Sequence, residues 1–274
     1  YDEIIQGWEA WLLLTGDRHH DNLLCDRDHE KADLEKAKQR NALIIDVGDL
    51  FCAMQGKYDP RSDLGQVRQE DAAPDYLDRI TQHAMDFYSP YVQNFLVIGR
   101  GNHETRILDR HGVDLTSNLV HRINSAGGRC YAGGLGGWVR FQFHIGGKSG
   151  GTRRVKMLKY FHGAGGGGPV TRGVIQSNRQ AVYLPDADIV INGHTHDAWN
   201  VPIARERLNR KGTVERDIVH YLRTPGYKDE YRDGSEGWAV ERWSPPKPLG
   251  CVWLRFSVDY TTHDVLTEVL VDVR

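Results

Sequence analysis

Five apolar runs punctuate the chain, and each stops at glycine or a polar residue: WLLLTGDRHH (11–20), ALIIDVGDLF (42–51), FLVIGRGNHE (95–104), KMLKYFHGAG (156–165) and DIVINGHTHD (188–197). Short continuous runs rich in Leu, Ile and Val predict strands buried on both faces. The Asp, Asn and His residues follow at their C-terminal ends, so polar chemistry collects where strands finish.

Helical patterns separate the first three runs. DHEKADLEKAKQRN (28–41) is charged, and Leu77, Ile80, Ala84, Phe87, Tyr88 and Tyr91 recur at helical spacing. Strand, helix, strand, helix, strand predicts parallel pairing through crossover helices. Further helices are expected from Glu104 to Ala126 and, after Pro169, from Thr171 to Tyr183.

Residues 129–161 read as antiparallel, with WVRFQFHI alternating apolar and polar positions, and 214–273 read as strands that include CVWLRFSV and VLTEVLVDV. The pattern predicts an α/β chain with two sheets, one bearing the crossover helices and one completed by the C-terminal half. One domain, 1–274, is expected, with 205–250 as a candidate substrate-side insertion. Within it the aromatic and charged stretch 227–250 is either a substrate loop or an excursion packed on its own tryptophans.

Composition narrows the classes. At 274 residues the chain can bury a sizeable core, and no apolar run approaches the roughly 18 residues a membrane span needs. A net charge of −2, from 35 basic and 37 acidic residues, argues against broad electrostatic binding of nucleic acid. TRRVKMLK (152–159) and RERLNRKGTVER (205–216) read as solvated strand or hairpin faces. Four scattered cysteines without C-x-x-C point to neither a zinc knuckle nor a disulfide framework, so a reducing, cytoplasmic setting is the expectation.

The strand ends offer Asp17 and His19, then Asp49, then Asn102 and His103, then His162, and last His194 and His196. In sheets with crossover helices, ligands gather beyond the carboxyl ends of strands, so these distant residues can share one pocket. In NGHTHDAW the two histidines are two residues apart, which in extended chain aims both imidazoles one way. Carboxylate, amide oxygen and imidazole without thiolate suit Mn or Fe at least as well as Zn or Ni. Seven of these eight donors already exceed one ion of about four to six positions, whereas two ions sharing a carboxylate account for them. Two ions about 3.5–4 Å apart suit displacement at phosphorus, which points to phosphate-ester hydrolysis.

GDRH, GDLF, GNHE, a histidine before a glycine-rich loop, and GHTH, in that order across residues 11–199, resemble the calcineurin-like metallophosphoesterases. The resemblance implies that Asp17, His19 and His196 bind one metal, and that Asp49 bridges to a second held by Asn102, His162 and His194. His103 would then act as general acid or stabilise the transition state, and His194 and His196 would serve different ions. The implied fold is two mixed β-sheets packed face to face and flanked by helices, a four-layer αββα sandwich.

RGNHE is similar to the serine/threonine protein phosphatases, but GDLFCA lacks their Asp-Arg-Gly continuation and GHTH is not their ending. GDLF and GHTH are more similar to the phosphodiesterase and nuclease branch, and PVTRGVIQSNR with PPKPLG to phage-encoded members. The implied activity is hydrolysis of a phosphodiester in nucleic acid or a nucleotide by two divalent ions, Mn first, with Fe, Zn or Ni as alternatives. The other readings are a phosphomonoesterase acting on proteins or small molecules, and a binding module that kept the fold. Arg100 either touches phosphate or pairs with a carboxylate such as Glu104. The GAGGGG loop (163–168) either offers N–H groups to an anion or permits close approach to the metals. His20, His144 and His220 match no motif position and are expected to be structural.

Overall fold

Leu12, Leu13 and Leu14 of the first apolar run are fully buried, Leu12 and Leu14 in one apolar cluster and Leu13 in another. Successive strand side chains leave on opposite faces, so such a strand requires packing partners on both sides. The computed structural model supplies them, and it describes all residues except 3, 54–63, 147–150, 167–169, 210, 232–237 and 242.

The elements run β1 (Glu9–Thr15), α1 (Arg27–Gln39), β2 (Leu43–Asp46), α2 (Tyr76–Tyr88), β3 (Phe95–Ile98), α3 (Asn102–His111), α4 (Leu115–Ser125) and β4 (Tyr131–Ala132). They continue with β5 (Gly136–Ile145), β6 (Thr152–Phe161), α5 (Val174–Tyr183), β7 (Ile189–Asn192), β8 (Trp199–Leu208) and β9 (Val214–Arg223). The last are α6 (Trp238–Glu241), β10 (Gly250–Asp259) and β11 (Asp264–Val273).

Two mixed sheets result. The six-stranded sheet has the order β11-β10-β1-β2-β3-β4, parallel from β1 to β4 and antiparallel at β10 and β11. The five-stranded sheet has the order β5-β6-β7-β9-β8, parallel in its centre with antiparallel edges. Leu12, Leu14, Val252 and Phe256 from the first pack with Phe143, Leu158, Ile191 and Leu222 from the second. Phe143 and Phe256 meet edge to face at 5.3 Å, and full burial of such side chains contributes about 1.5–3 kcal/mol each.

Helices α1, α2 and α4 cover the outer face of the larger sheet, burying Leu34, Ile80, Ala84 and Leu119 against Leu13, Ile44 and Trp253. Helix α1 starts where the Asp26 side chain accepts the His29 N–H, and Lys36 and Lys38 in its last turn complement the helix dipole. On the smaller sheet, Ala181 of α5 packs over Val190, Val219 and Tyr221. The layers are therefore helix, sheet, sheet, helix, as the resemblance implies. Among the described residues no helix is long and apolar enough to cross a membrane.

Several boundaries differ from the sequence pattern. The helix expected over 104–126 is two, because Gly112 at φ 67° ends α3 and Asp114 then caps α4 by accepting from Ser117 N. Helix α5 begins at Val174 rather than Thr171, since Gly173 before it takes a left-handed conformation. Within the region read as antiparallel, β4 instead pairs parallel with β3 at the edge of the larger sheet, and only β5 and β6 form the antiparallel hairpin. The basic stretch 205–216 lies in the β8–β9 hairpin. Parts of two stretches singled out in the sequence, 167–169 of the glycine loop and 232–237 and 242 of the 227–250 stretch, lie outside the described residues.

Candidate metal centre

The apolar runs end at one edge of the sandwich, three from the larger sheet and two from the smaller. Parallel pairing of β1 and β2 continues into their loops: Asp17 N donates to Gly48 O at 2.8 Å, His19 N to Asp49 O at 3.0 Å and His20 N to Leu50 O at 2.8 Å. The GDRH and GDLF turns are thereby zipped together. The GNHE turn closes on them so tightly that a Cβ at Gly101 would lie 2.0 Å from Asp49 Oδ1. Only glycine fits there.

Two sets of side chains face each other at this edge. In the first, His196 Nε2 lies 3.3 Å from His19 Nε2 and 3.5 Å from Asp17 Oδ1. In the second, His162 Nε2 lies 3.2 Å from Asp49 Oδ2 and 3.1 Å from Asn102 Oδ1, and the His194 ring stands 5.2 Å from that of His162. Within each trio, Asp17, His19 and His196 or Asp49, His162 and His194, one ligand atom per residue lies within 4.8 Å of the others. The Asp49 charge acts on His19 and His196 of the first set as well as on His162 of the second. His103 sits at the boundary: its backbone N donates to Asp49 Oδ1 at 2.8 Å, its Nδ1 contacts Cys52 O at 2.7 Å, and its Nε2 is 3.9 Å from Asp49 Oδ2.

The backbone is strained where these side chains leave it. Asp17 (φ 49°), His19 (φ 47°), Asp49 (φ 54°), His194 (φ 76°) and His196 (φ 53°) are all left-handed. Each costs on the order of 1–3 kcal/mol in a non-glycine residue, strain that collects at functional sites. This corrects the simplest view of NGHTHDAW. Strand β7 ends at Asn192, the histidines are not in extended chain, and the turn sends His194 to one set and His196 to the other.

The electrostatics suit cations. Burial pushes Asp17 up to about 7, and among the described residues its Oδ1 has no hydrogen-bond partner. Burial, joined by neighbouring positive charge, lowers His19, His194 and His196, the last to about 3, which keeps these rings in the neutral form that ligates metal. Burial also works against charge on His162, but Asp49 outweighs it and raises that ring to about 10. For Asp49 burial favours the acid form, yet His103 and His162 overcome it and hold the carboxyl well below its ordinary range. Among the described residues Asp17 Oδ1 is buried without a hydrogen-bond partner, at roughly 1–3 kcal/mol. A divalent cation fits this donor set, because it satisfies lone pairs that no described proton donor reaches.

No protein-family model matches the chain, and no curated protein matches it. Solved structures similar to it include Vps29 complexed with zinc from Entamoeba histolytica, at 10% identity, covering 95% of this chain and 98% of that one, TM-score 0.38. A predicted phosphoesterase from Streptococcus pneumoniae is 12% identical, covering 97% and 99%, TM-score 0.33. A Staphylococcus aureus protein described as a candidate 5'-nucleotidase is 12% identical, covering 96% of this chain and 54% of that one, TM-score 0.49, so this chain spans about half its length. The two-sheet sandwich agrees with the layers that the GDRH, GDLF, GNHE and GHTH motifs imply.

The remaining residues take their places around this edge. Arg100 pairs with Asp114 at the head of α4. Glu104, the alternative partner, instead accepts three backbone N–H groups, from Gly101 at 2.8 Å, Phe51 at 2.8 Å and Asp49 at 3.1 Å. It ties the GNHE turn to the GDLF turn, a role the sequence signals only as an acidic residue three positions after a helix cap. A buried network that the sequence did not disclose lies behind the first set: Arg18 Nε donates to Asp46 at 2.6 Å and its terminal nitrogen to Glu30 at 2.7 Å. Asp46 also accepts Gly48 N at 2.9 Å, so Arg18 braces both zipped turns. Of the histidines expected to be structural, His20 contacts Glu30 at 3.0 Å, His144 contacts Asp2 at 3.1 Å and His220 contacts Asn200 at 3.3 Å.

Proposed function

We propose that the chain is a metal-dependent phosphoesterase that uses two divalent ions, with phosphodiesters of nucleic acid or nucleotides as its leading substrate class. The observation that carries this reading is the abutment of two buried carboxylate–imidazole sets on left-handed turns at adjoining strand ends. Asp17, His19 and His196 would hold one ion, Asn102, His162 and His194 the other, and Asp49 would serve both. Mixed oxygen and nitrogen donors favour Mn, with Fe, Zn or Ni as alternatives. Bound there, the ions supply Lewis acidity toward the phosphoryl oxygens and lower the pKa of attacking water.

His103 supplies the proton. Its Nδ1 is engaged with the Cys52 carbonyl oxygen, which turns Nε2 toward the Asp49 edge of the site. An Nε2 proton held near that carboxylate passes to the leaving oxygen as the ester bond breaks. The preference for a diester rests on the similarity of GDLF and GHTH to the phosphodiesterase and nuclease branch. The test compares an aryl phosphodiester, its monoester, a cyclic nucleotide and single- and double-stranded nucleic acids, with the chain stripped of metal and then loaded with Mn. Metal-dependent cleavage that is faster on diesters supports the reading. Faster monoester cleavage transfers the chain to the phosphomonoesterases, and no cleavage with metal bound leaves it a binding module.

A further inference from the structure

We propose that Cys52, His19 and His103 form a further metal position, thiol-bearing and inhibitory, at which a thiophilic cation such as Zn2+ or Cd2+ binds. One ligand atom from each of the three lies within 4.8 Å of the others. Because Nδ1 of His103 is engaged with Cys52 O at 2.7 Å, Nε2 is its ligating nitrogen. His19 directs Nε2 to His196 at 3.3 Å, while its Nδ1 is buried without a hydrogen-bond partner among the described residues, in a side chain only 3% exposed. The Cys52 sulfur is oriented by Asn22, whose amide donates to it at 3.2 Å.

Two other cysteine-bearing groups differ in their donors. Beside Cys25, the Glu30 carboxylate is taken by Arg18, Tyr88 and His20. Beside Cys251, the Lys36 ammonium stands 3.2 Å from both Asp33 and Asp272. In each a carboxylate is already paired with a cation, whereas the Cys52 group offers two imidazoles and a sulfur and no carboxylate. Two nitrogens and a sulfur select softer ions than the carboxylate-bearing sets do. On binding, the sulfur–metal bond forms as the thiol proton passes to solvent. A soft ion there engages the His103 nitrogen needed for proton transfer, and its bond to Nδ1 fixes the His19 ring whose Nε2 faces His196. Excess zinc thus acts as a brake on a site loaded with a harder ion.

The inhibitory clause rests on the phosphoesterase reading, but the binding clause does not. Cd2+ is titrated into the Mn-loaded chain while thiolate-to-cadmium charge-transfer absorption and hydrolysis of an aryl phosphodiester are followed. The expected result is a stoichiometric absorption rise with parallel loss of hydrolysis. Cys52→Ser should abolish the absorption and raise the inhibiting Cd2+ concentration by at least the roughly 10- to 100-fold that loss of even an outer partner costs a metal site. Cys25→Ser should change neither. No absorption in the parent chain, or equal absorption and sensitivity in Cys52→Ser, overturns the proposal. If no phosphate ester is cleaved, the phosphoesterase reading fails, while the absorption of parent against Cys52→Ser still decides the site.

Discussion

Asp17 accepts the backbone N–H of His194 at 2.7 Å, although the two side chains belong to different candidate metal-ligand sets. One carboxylate thus offers Oδ1 to its own set and uses Oδ2 to hold the turn from which the other set takes an imidazole. The sets are mechanically joined but chemically distinct.

That division predicts selective losses. His194→Ala and His196→Ala should each lower bound metal from about two ions per chain to about one, the count expected when one of a pair of sites fails. Metal analysis after dialysis reads this directly. Two ions retained in both variants, or none in either, contradicts the assignment of the histidines to separate ions.

His103 should matter to proton transfer and little to metal content. His103→Ala is expected to lower turnover by about 10²–10⁴-fold on a substrate with a poor leaving group, and much less on an activated aryl ester. Metal stoichiometry should stay unchanged. An equal loss on both substrates removes the general-acid role.

Metal uptake should depend on pH with a definite sign. In the metal-free protein Asp49 raises His162 to about 10, so below that pH an incoming ion must displace a proton from this ring. Asp17, raised by burial to about 7, adds a second proton to displace below neutrality. Affinity should rise by about tenfold per pH unit near pH 8, and more steeply below about 7. Metal titrations at several pH values check this, and a flat profile refutes it.

The network behind the site predicts an acid-labile component of stability. Burial opposes charge on Glu30, but His20, Arg18 and the Tyr88 hydroxyl outweigh it and hold the carboxyl at about 2, against an ordinary 4.5. A depressed carboxyl stabilises above its unfolded pKa, and that contribution is lost as pH falls through the folded value. Urea unfolding should therefore show stability declining from about pH 4.5 toward about 2. Glu30→Gln should flatten this decline and cost roughly 3–5 kcal/mol, because Arg18 is left buried with one partner fewer.

The candidate ligand residues were legible in the sequence because each follows a short apolar strand, a pattern that local hydrophobicity exposes. Their partition was legible only through resemblance. Periodicity puts His194 and His196 on one face, and nothing in it announces the left-handed φ values that separate them. The two-sheet architecture followed from continuous against alternating runs, but β4, two residues long, carries too little pattern to reveal its parallel pairing with β3. The break at Gly112 was written in a Gly-Val-Asp stop-and-start signal inside an otherwise helical stretch. Arg18 and Glu30 were hidden for a different reason, since charged residues are expected at the surface and only a network of partners, Asp46, His20 and Tyr88 with their own pairing, allows both to be fully buried.

The central claim is that two ions at this edge perform hydrolysis. It is tested most directly by adding Mn stepwise to the metal-free chain while measuring bound metal and cleavage of an aryl phosphodiester in the same samples. The account predicts saturation at about two ions per chain, with activity appearing as the second is filled. Cleavage that persists without metal, or saturation with no stoichiometric ion bound, would contradict it.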